Sequence, residues 1–210
     1  MRRRDVIRTG FVAGGVMVAG CIGRRETPTF AEGFEDGMGD WRPDAAIGPE
    51  VDIEEFEWEV GVSTDQAVEG ERSLRIWNEG DYDDGVTWVT HPVSLPRDGA
   101  TTATVRAQIW SESESFNTLR DAVMRLGPDR PETEEEFPHP GVNTTALGET
   151  PYGGLREPLW LADGWREYTF EWTMPPLSSE TGYLSLGTSV IWEGDATHYI
   201  DDISVEFETA

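Results

Sequence analysis

The sequence of 210 residues contains no lysine, and its sixteen basic residues, all arginine, are outnumbered by 41 aspartates and glutamates, which gives a net charge of −25. A nucleic-acid-binding protein needs a basic face that releases counterions, so this composition excludes a nucleic-acid partner. The same shortage argues against docking on an anionic membrane through basic side chains. The single cysteine excludes an intramolecular disulfide, and the three histidines lack the spacing of zinc ligands.

Acidic residues are spread along the whole chain after residue 25 rather than gathered in one tail. Such a chain repels itself at ordinary ionic strength, whereas molar salt shortens the Debye length to about 3 Å and relieves the repulsion. We therefore predict a halophilic protein, with a haloarchaeon as its source. An acidic protein from an ordinary organism is the alternative.

The N-terminus has the features of an export signal. Arg3-Arg4, followed by Val6-Ile7, resembles the twin-arginine signal, and the apolar stretch 9–19 is too short for a membrane-spanning helix. The sequence Val18-Ala19-Gly20-Cys21 resembles a lipobox, in which the cysteine thiol carries a lipid. Residues 1–20 are therefore predicted to be a signal peptide and residues 21–29 a tether. A chance cysteine in a signal-like segment is the alternative.

The predicted signal sequence and lipobox also indicate where the protein functions. Lipidated Cys21 would anchor the folded part of the chain, residues 30–208, to the extracellular face of the cell membrane.

After residue 30 the hydrophobic pattern has a period of two, which is typical of half-buried strands. Apolar residues alternate with polar ones over 103–109, 168–174 and 199–207, and Gly and Asp turns separate the runs. The pattern predicts an all-β chain folded as an antiparallel β-sandwich. The exception is residues 127–158, a long acidic, proline-rich segment predicted to be a loop, with an N-glycosylation sequon at Asn143.

Three pieces of the chain resemble the galactose-binding-like jelly rolls used as carbohydrate-binding modules. Gly33-Phe34-Glu35-Asp36-Gly37 followed by Trp41 looks like their first strand and turn, and residues 67–76 look like their turn before the strand that carries Ser-Leu. Residues 164–168 and 199–205 look like their final strands. The resemblance implies a jelly roll and a carbohydrate or glycoprotein partner.

The resemblance also implies a structural Ca²⁺ shared by Glu35 of the first strand and Asp201 of the last. Asp201 has the same parity as Tyr199 and Ile203, which predicts a core-facing carboxylate, and such a group must be paired or bound to metal. Carboxylate oxygens suit Ca²⁺. An aspartate at the sheet margin, solvated or paired with arginine, is the alternative.

In three of the predicted strands, the side chains expected to point outward include tryptophans interleaved with planar hydrogen-bonding groups. Sugars stack their apolar faces on indole and pair their hydroxyls with such groups, so this combination predicts a carbohydrate surface if the strands are neighbours. In the alternative, Trp77 and Trp110 lie beneath the long loop as a satellite core. The predicted ligand residues are Arg75, Trp77, Arg106, Gln108, Trp110 and Arg125.

A catalytic alternative lies at Glu50, Asp52 and Glu55, which resemble the E-x-D-x-x-E motif of laminarinase-type glycoside hydrolases. There two glutamates act as nucleophile and acid/base, and a bulged strand must bring the three acids to one face. A solvated acidic strand is the favoured interpretation, because only a short part of the fold precedes the motif.

The sequence thus predicts a lipid-anchored cell-surface module that binds carbohydrate or glycan. The alternatives are a secreted glycoside hydrolase and a structural envelope protein without a small ligand.

Overall fold

The structure is a computed structural model that describes residues 30–82, 84–96, 100–112, 120–159, 163–190 and 194–209. The predicted signal peptide, Cys21 and the tether lie outside the described residues. Within the described ranges no helix is long and apolar enough to cross a membrane.

The strands are β1 Phe30–Glu32, β2 Arg42–Ala46, β3 Trp58–Ser63, β4 Ser73–Asn78, β5 Val86–Ser94, β6 Ala100–Glu112, β7 Arg120–Gly127, β8 Gly153–Pro158, β9 Asp163–Thr173, β10 Thr181–Val190 and β11 Ala196–Thr209. Short 3-10 helices span Ile53–Glu55, Glu134–Glu136 and Thr144–Ala146.

These strands form two antiparallel sheets that pack face to face. The six-stranded sheet has the order β3-β4-β11-β6-β9, with β1 also paired to β11, and the five-stranded sheet has the order β2-β5-β10-β7-β8. The predicted antiparallel β-sandwich is confirmed.

The core lies between the sheets and is built from alternate residues of each strand, as the period-two pattern requires. In β6 the apolar residues from Ala103 to Ile109 are buried between the sheets, and in β9 Tyr168, Phe170 and Trp172 face the same interior. Burial of these apolar side chains on both inner faces is the main stabilising contribution to the fold.

A β-bulge changes the parity of β11. The pairing of β11 with β6 shifts between Asp201 and Ser204, and Asp202 there has a φ of 46°. Ile203 consequently faces the core, whereas Tyr199 lies on the outer face of the six-stranded sheet, opposite Trp110. The predicted common parity of Tyr199 and Ile203 is therefore corrected, because a bulge inserts one extra residue and reverses the alternation.

The acidic segment predicted as a loop over 127–158 ends in a strand, β8, from residue 153 onward. Before that strand it crosses the outer face of the five-stranded sheet, where it places Phe137 against Trp88. Val86 and Val123 complete a second, smaller apolar cluster with these two rings. The segment thus covers part of the outer face of the five-stranded sheet, and its residues 143–149 then bond along β9, the edge strand of the six-stranded sheet.

Candidate functional site

A row of large side chains crosses the outer face of the six-stranded sheet. Strand register places Arg75 of β4 beside Tyr199 of β11, Tyr199 beside Trp110 of β6, and Trp110 beside Trp165 of β9. We call these four residues the aromatic row. Because neighbouring strands are about 4.8 Å apart, three strand intervals give the row a length of about 14 Å.

Tyr199 is the fixed centre of the aromatic row. Its ring meets Trp110 edge to face, with centroids 5.4 Å apart and an interplanar angle of 77°. Only 7% of Tyr199 is exposed, and its hydroxyl donates to Oδ2 of Asp65 at 3.4 Å. Burial, assisted by the Asp65 carboxylate, raises the pKa of Tyr199, so the phenol remains a neutral hydrogen-bonding group.

Trp110 and Trp165 are half-buried, so each indole keeps part of its surface open to solvent. A partly exposed indole that is held by a neighbouring ring offers a rigid apolar surface at little cost in conformational entropy.

The row ends at a hollow beside Arg75. Nη1 of Arg75 pairs with Oε2 of Glu59 at 3.0 Å, and both residues line a hollow of about 460 Å³ at the β3 edge. Gly61 stands opposite Arg75 in the register, and a β-carbon added there would meet nothing within 4 Å. The end of the row is therefore open, with an arginine and a carboxylate at its border.

Three more predicted ligand residues flank the row on the same face. Trp77 pairs in register with Glu59 and Thr197, and Gln108 pairs with Glu167. Arg106 is held by Glu206, with 3.0 Å between Nη1 and Oε2. The structure thus brings together five of the six predicted residues: Arg75, Trp77, Arg106, Gln108 and Trp110.

Arg125 does not share this surface, because β7 belongs to the other sheet. Its guanidinium is buried beneath the acidic segment, where it donates to Oδ1 of Asp129 at 2.7 Å and lies 4.6 Å from the ring centre of Tyr152. The prediction assumed that the three strands were neighbours. The alternation of side chains shows which residues of a strand face outward, but it does not show which of the two sheets the strand joins.

Sequence reasoning missed Tyr199 and Trp165 as members of the row. Trp165 belongs to the stretch 164–168 that carried the family resemblance, so its outward parity relative to Tyr168 was a usable signal. The bulge after Asp201 hid the orientation of Tyr199.

The acidic segment does cover a tryptophan, as the alternative of a satellite core expected, but the covered residue is Trp88 and not Trp77 or Trp110. The acidic segment covers Trp88, which is 1% exposed and packs on Phe137, whereas Trp77 and Trp110 lie on the opposite sheet and are half-buried. Trp77 and Trp110 are therefore not beneath that segment.

The acids of the catalytic alternative do not lie on a strand. Glu50 lies in a turn, and Asp52 and Glu55 flank and end the 3-10 helix Ile53–Glu55. All three side chains are exposed. A bulged strand that aims three acids at one cleft is absent from this described stretch, so the geometry does not favour glycoside hydrolysis here.

The two predicted calcium ligands converge on one loop, but that loop offers them hydrogen-bond donors. Oε1 of Glu35 accepts from the backbone N–H groups of Glu71 and Arg72, both at 2.8 Å. Oδ2 of Asp201 accepts from the N–H of Val68 at 2.8 Å, and Oδ1 accepts from the N–H of Asp202 at 2.8 Å. Asp201 is fully buried, and backbone amides are its partners.

Glu35 and Asp201 also line a common acidic hollow with Glu32 and Glu69. Even so, among the described residues no group of three or more His, Cys, Asp or Glu side chains is arranged to hold a metal ion. Calcium needs six to eight oxygen ligands, whereas the loop turns N–H groups toward both carboxylates. The residues present therefore do not fit the calcium site that the resemblance implies.

Asn143, the predicted glycosylation site, has a structural role in the fold. Its Nδ2 donates to Oε1 of Glu157 at 2.8 Å and to the main-chain oxygen of Thr169 at 3.1 Å, while Oδ1 accepts from the N–H of Thr145. A glycan on Nδ2 would disrupt the first two bonds, so the folded structure does not favour modification at this position.

Solved structures share this sandwich at low sequence identity. The CBM22-1 xylan-binding domain of Xyn10C from Paenibacillus barcinonensis has a TM-score of 0.51 and 14% identity, with 88% of this chain and 97% of that domain covered. A carbohydrate-binding module of the β-sandwich superfamily, described as having promiscuous specificity, has a TM-score of 0.50 and 21% identity, covering 86% of this chain and 62% of its own. The chain has the fold of these modules. It matches no protein-family model and no curated protein, so the likeness is one of fold.

Proposed function

We propose that the protein is a carbohydrate-binding module whose ligand lies along the aromatic row. The observation that carries the proposal is the register Arg75–Tyr199–Trp110–Trp165, which aligns two half-exposed indoles with a phenol and a guanidinium on one sheet face. The fold shared with carbohydrate-binding modules supports this function without identifying the sugar.

The chemistry of the row suits an extended glycan. The apolar C–H face of a sugar ring stacks on the indoles of Trp110 and Trp165, while its hydroxyls pair with the planar groups of Arg75 and Gln108. A length of about 14 Å across three strand intervals is longer than a single ring, so several consecutive rings contact the face. The row offers stacking and hydrogen-bonding groups side by side, which suits a role in binding.

The proposal extends to the location of the protein. The twin-arginine motif and the lipobox support export and attachment through a lipid on Cys21. Eight residues, 22–29, separate that cysteine from β1, and they span about 26 Å when fully extended. The sandwich would therefore stay close to the membrane, where it could hold surface glycans or glycoproteins.

The test is binding of polysaccharides to the purified sandwich in molar NaCl. A panel that includes xylan and other neutral glycans is run through affinity gels, and dissociation constants are measured by calorimetry. We expect Trp110→Ala to weaken binding at least tenfold, because about 1.4 kcal/mol of stacking suffices for that change. Trp165→Ala should act in the same direction.

Tyr183→Ala is the matched control, since Tyr183 is a half-buried aromatic residue on the outer face of the five-stranded sheet. It should bind like the parent protein. Equal losses in the Trp110 and Tyr183 variants, or no binding to any member of the panel, would contradict the proposal.

A further inference from the structure

A hollow opens at the β2 edge of the five-stranded sheet, away from the aromatic row, and we call it the β2 hollow. Its volume of about 450 Å³ lies within the range of roughly 300–1,000 Å³ that is typical of ligand pockets. One wall belongs to the acidic segment at residues 132–135, and the other is formed by the end of β2 and the loop after it. The second wall is apolar and consists, besides Gly48, of Ala45, Ala46, Ile47, Pro49, Val51 and Ile53.

Buried aromatic residues hold both walls in place. Phe56, which follows the apolar wall, is 4% exposed, and its ring lies so close to Gly85 that a β-carbon there would be 3.1 Å away. Phe137, which follows the acidic wall, packs on Trp88 in a cluster that Ala46 also contacts. Because both walls are built on buried rings, the hollow is formed before a ligand binds, and little conformational entropy is lost on binding.

The apolar wall leaves hydrophobic surface open to solvent. Ile53 is 41% exposed and is one of three exposed large hydrophobic side chains in the described part of the chain. It belongs to the stretch that carried the catalytic alternative, where Val51 and Ile53 line the hollow while the neighbouring Glu50 and Asp52 are exposed. A ligand that covered Ile53 would remove this apolar surface from water, which stabilises a complex.

The acidic wall carries negative charge that no arginine of the described residues neutralises. Glu134 accepts a hydrogen bond from Nη2 of Arg156 at 2.7 Å, whereas the exposed Glu132 and Glu135 have no arginine partner there. Hydrogen bonds from its own backbone and from Thr133 lower the pKa of Glu135, so this carboxylate is ionised at neutral pH. Two negative charges therefore border the apolar wall.

This combination of walls selects the kind of ligand. Among the described residues no group of three or more His, Cys, Asp or Glu side chains is arranged to hold a metal ion, so the carboxylates do not form a metal site. An organic cation with an apolar stem matches both walls. An arginine side chain has this form, because its methylene stem packs along apolar surface while the planar guanidinium pairs with carboxylates. A second copy of the chain fits less well, since each copy carries a net charge of −25.

We propose that the β2 hollow is a docking site for a partner protein, which inserts an arginine flanked by apolar residues. The stem of that arginine lies on Val51 and Ile53, and its guanidinium meets Glu132 and Glu135. The flanking residues of the partner cover the rest of the apolar wall. Because the aromatic row belongs to the other sheet, this inference does not depend on carbohydrate binding.

Peptide binding tests the site in the purified protein. The probe is a short fluorescent peptide with one arginine between leucines, and fluorescence anisotropy follows its binding in molar NaCl, where long-range attraction to the acidic chain is screened. We expect saturable binding of one peptide per protein. The same peptide with citrulline, which has the shape of arginine without its charge, should bind about threefold more weakly, as expected for a partly exposed ion pair.

Three results with the peptides would overturn the proposal. The first is the absence of saturable binding, and the second is equal binding of the arginine and citrulline peptides. The third is competition by free arginine amide that is as effective as competition by the unlabelled peptide, since a small cation would then be the occupant.

Substitutions on the two walls locate the bound peptide. Ile53→Ser should weaken binding of the arginine peptide about tenfold, because it removes apolar contact, and Glu132→Gln about threefold. The matched controls are Val68→Ser, at an aliphatic residue that is 38% exposed, and Glu149→Gln, at an exposed glutamate of the same acidic segment. Neither control residue lines the hollow, so both variants should bind like the parent.

Two results with the variants would contradict the proposal. Losses of the same size in the wall variants and in their controls would mean that the peptide is attracted to the acidic chain as a whole. A dimer of the parent protein in sedimentation equilibrium that Ile53→Ser dissociates would mean that a second copy, and not a partner protein, occupies the hollow.

Discussion

Phe137 packs its ring against Trp88 across the outer face of the five-stranded sheet, with centroids 5.4 Å apart and an interplanar angle of 69°. Both residues are 1% exposed. Two ionic contacts fix the same segment: Arg156 pairs with Asp121 at 3.3 Å and with Glu134 at 2.7 Å. The long acidic segment is therefore part of the folded structure, attached by an aromatic pair and a buried arginine.

We expect Phe137→Ala to destabilise the protein by about 3–5 kcal/mol, because truncation of a fully buried phenylalanine leaves a cavity beside Trp88. The measurement is the free energy of unfolding in denaturant, in molar salt. Leu147→Ala is the control in the same segment: Leu147 is 56% exposed, so its truncation should change stability by less than about 0.5 kcal/mol. Similar losses for both variants would mean that the segment is held by something other than this pair.

Sequence periodicity could predict the fold because each inner face of a sandwich repeats every second residue. The apolar residues of β6 and β9 face the core as the alternation indicates. The alternation fails at the bulge between Asp201 and Ser204, where one extra residue turns Tyr199 outward. A bulge is a local backbone choice, and no residue type in this stretch required it in advance.

The candidate site could be predicted only in part for a related reason. Parity assigned Arg75, Trp110 and Arg125 to outer faces correctly, but the sandwich has two outer faces. Strand β6 joins the six-stranded sheet through β11, whereas β7 pairs with β10 in the other sheet. Long-range pairing decides this assignment, and one sequence alone carries no signal for it.

Salt should stabilise the sandwich over a wide range. The chain carries 41 acidic residues against sixteen arginines, so screening reduces repulsion more in the compact state than in the unfolded one. We expect the melting temperature to rise continuously from low salt to molar NaCl. A melting temperature that stays constant across this range would contradict the halophilic prediction.

Divalent cations test the reassignment of Glu35 and Asp201. Because backbone amides already hold both carboxylates, we expect Ca²⁺ and Mg²⁺, each in excess over EDTA in molar NaCl, to raise the melting temperature by equal, small amounts. High salt is needed since any divalent cation screens so acidic a chain. A gain specific to Ca²⁺ that disappears in Asp201→Asn would instead support the calcium site implied by the family resemblance.

His198 is buried on β11, and its titration makes the stability of the protein depend on pH. Burial lowers the pKa of His198 in the folded protein from 6.5 to about 3. As the pH falls, His198 is therefore protonated in the unfolded chain before it is protonated in the folded protein. The stability that neutral His198 contributes is thus fully present above about pH 6.5 and is lost between there and about pH 3. Between pH 7 and pH 5 the loss should be about 2 kcal/mol, a window in which few carboxylates titrate.

Unfolding in denaturant at pH 7, 6 and 5, in molar salt, measures this dependence. His198→Leu should remove most of the pH dependence in this window. His139→Gln is the control, because His139 is exposed in the acidic segment and its replacement should leave the slope unchanged. A parent protein whose stability is constant from pH 7 to pH 5 would show that His198 is not buried in its neutral form, since a neutral imidazole in the core must lose free energy to the protonated unfolded chain over this range.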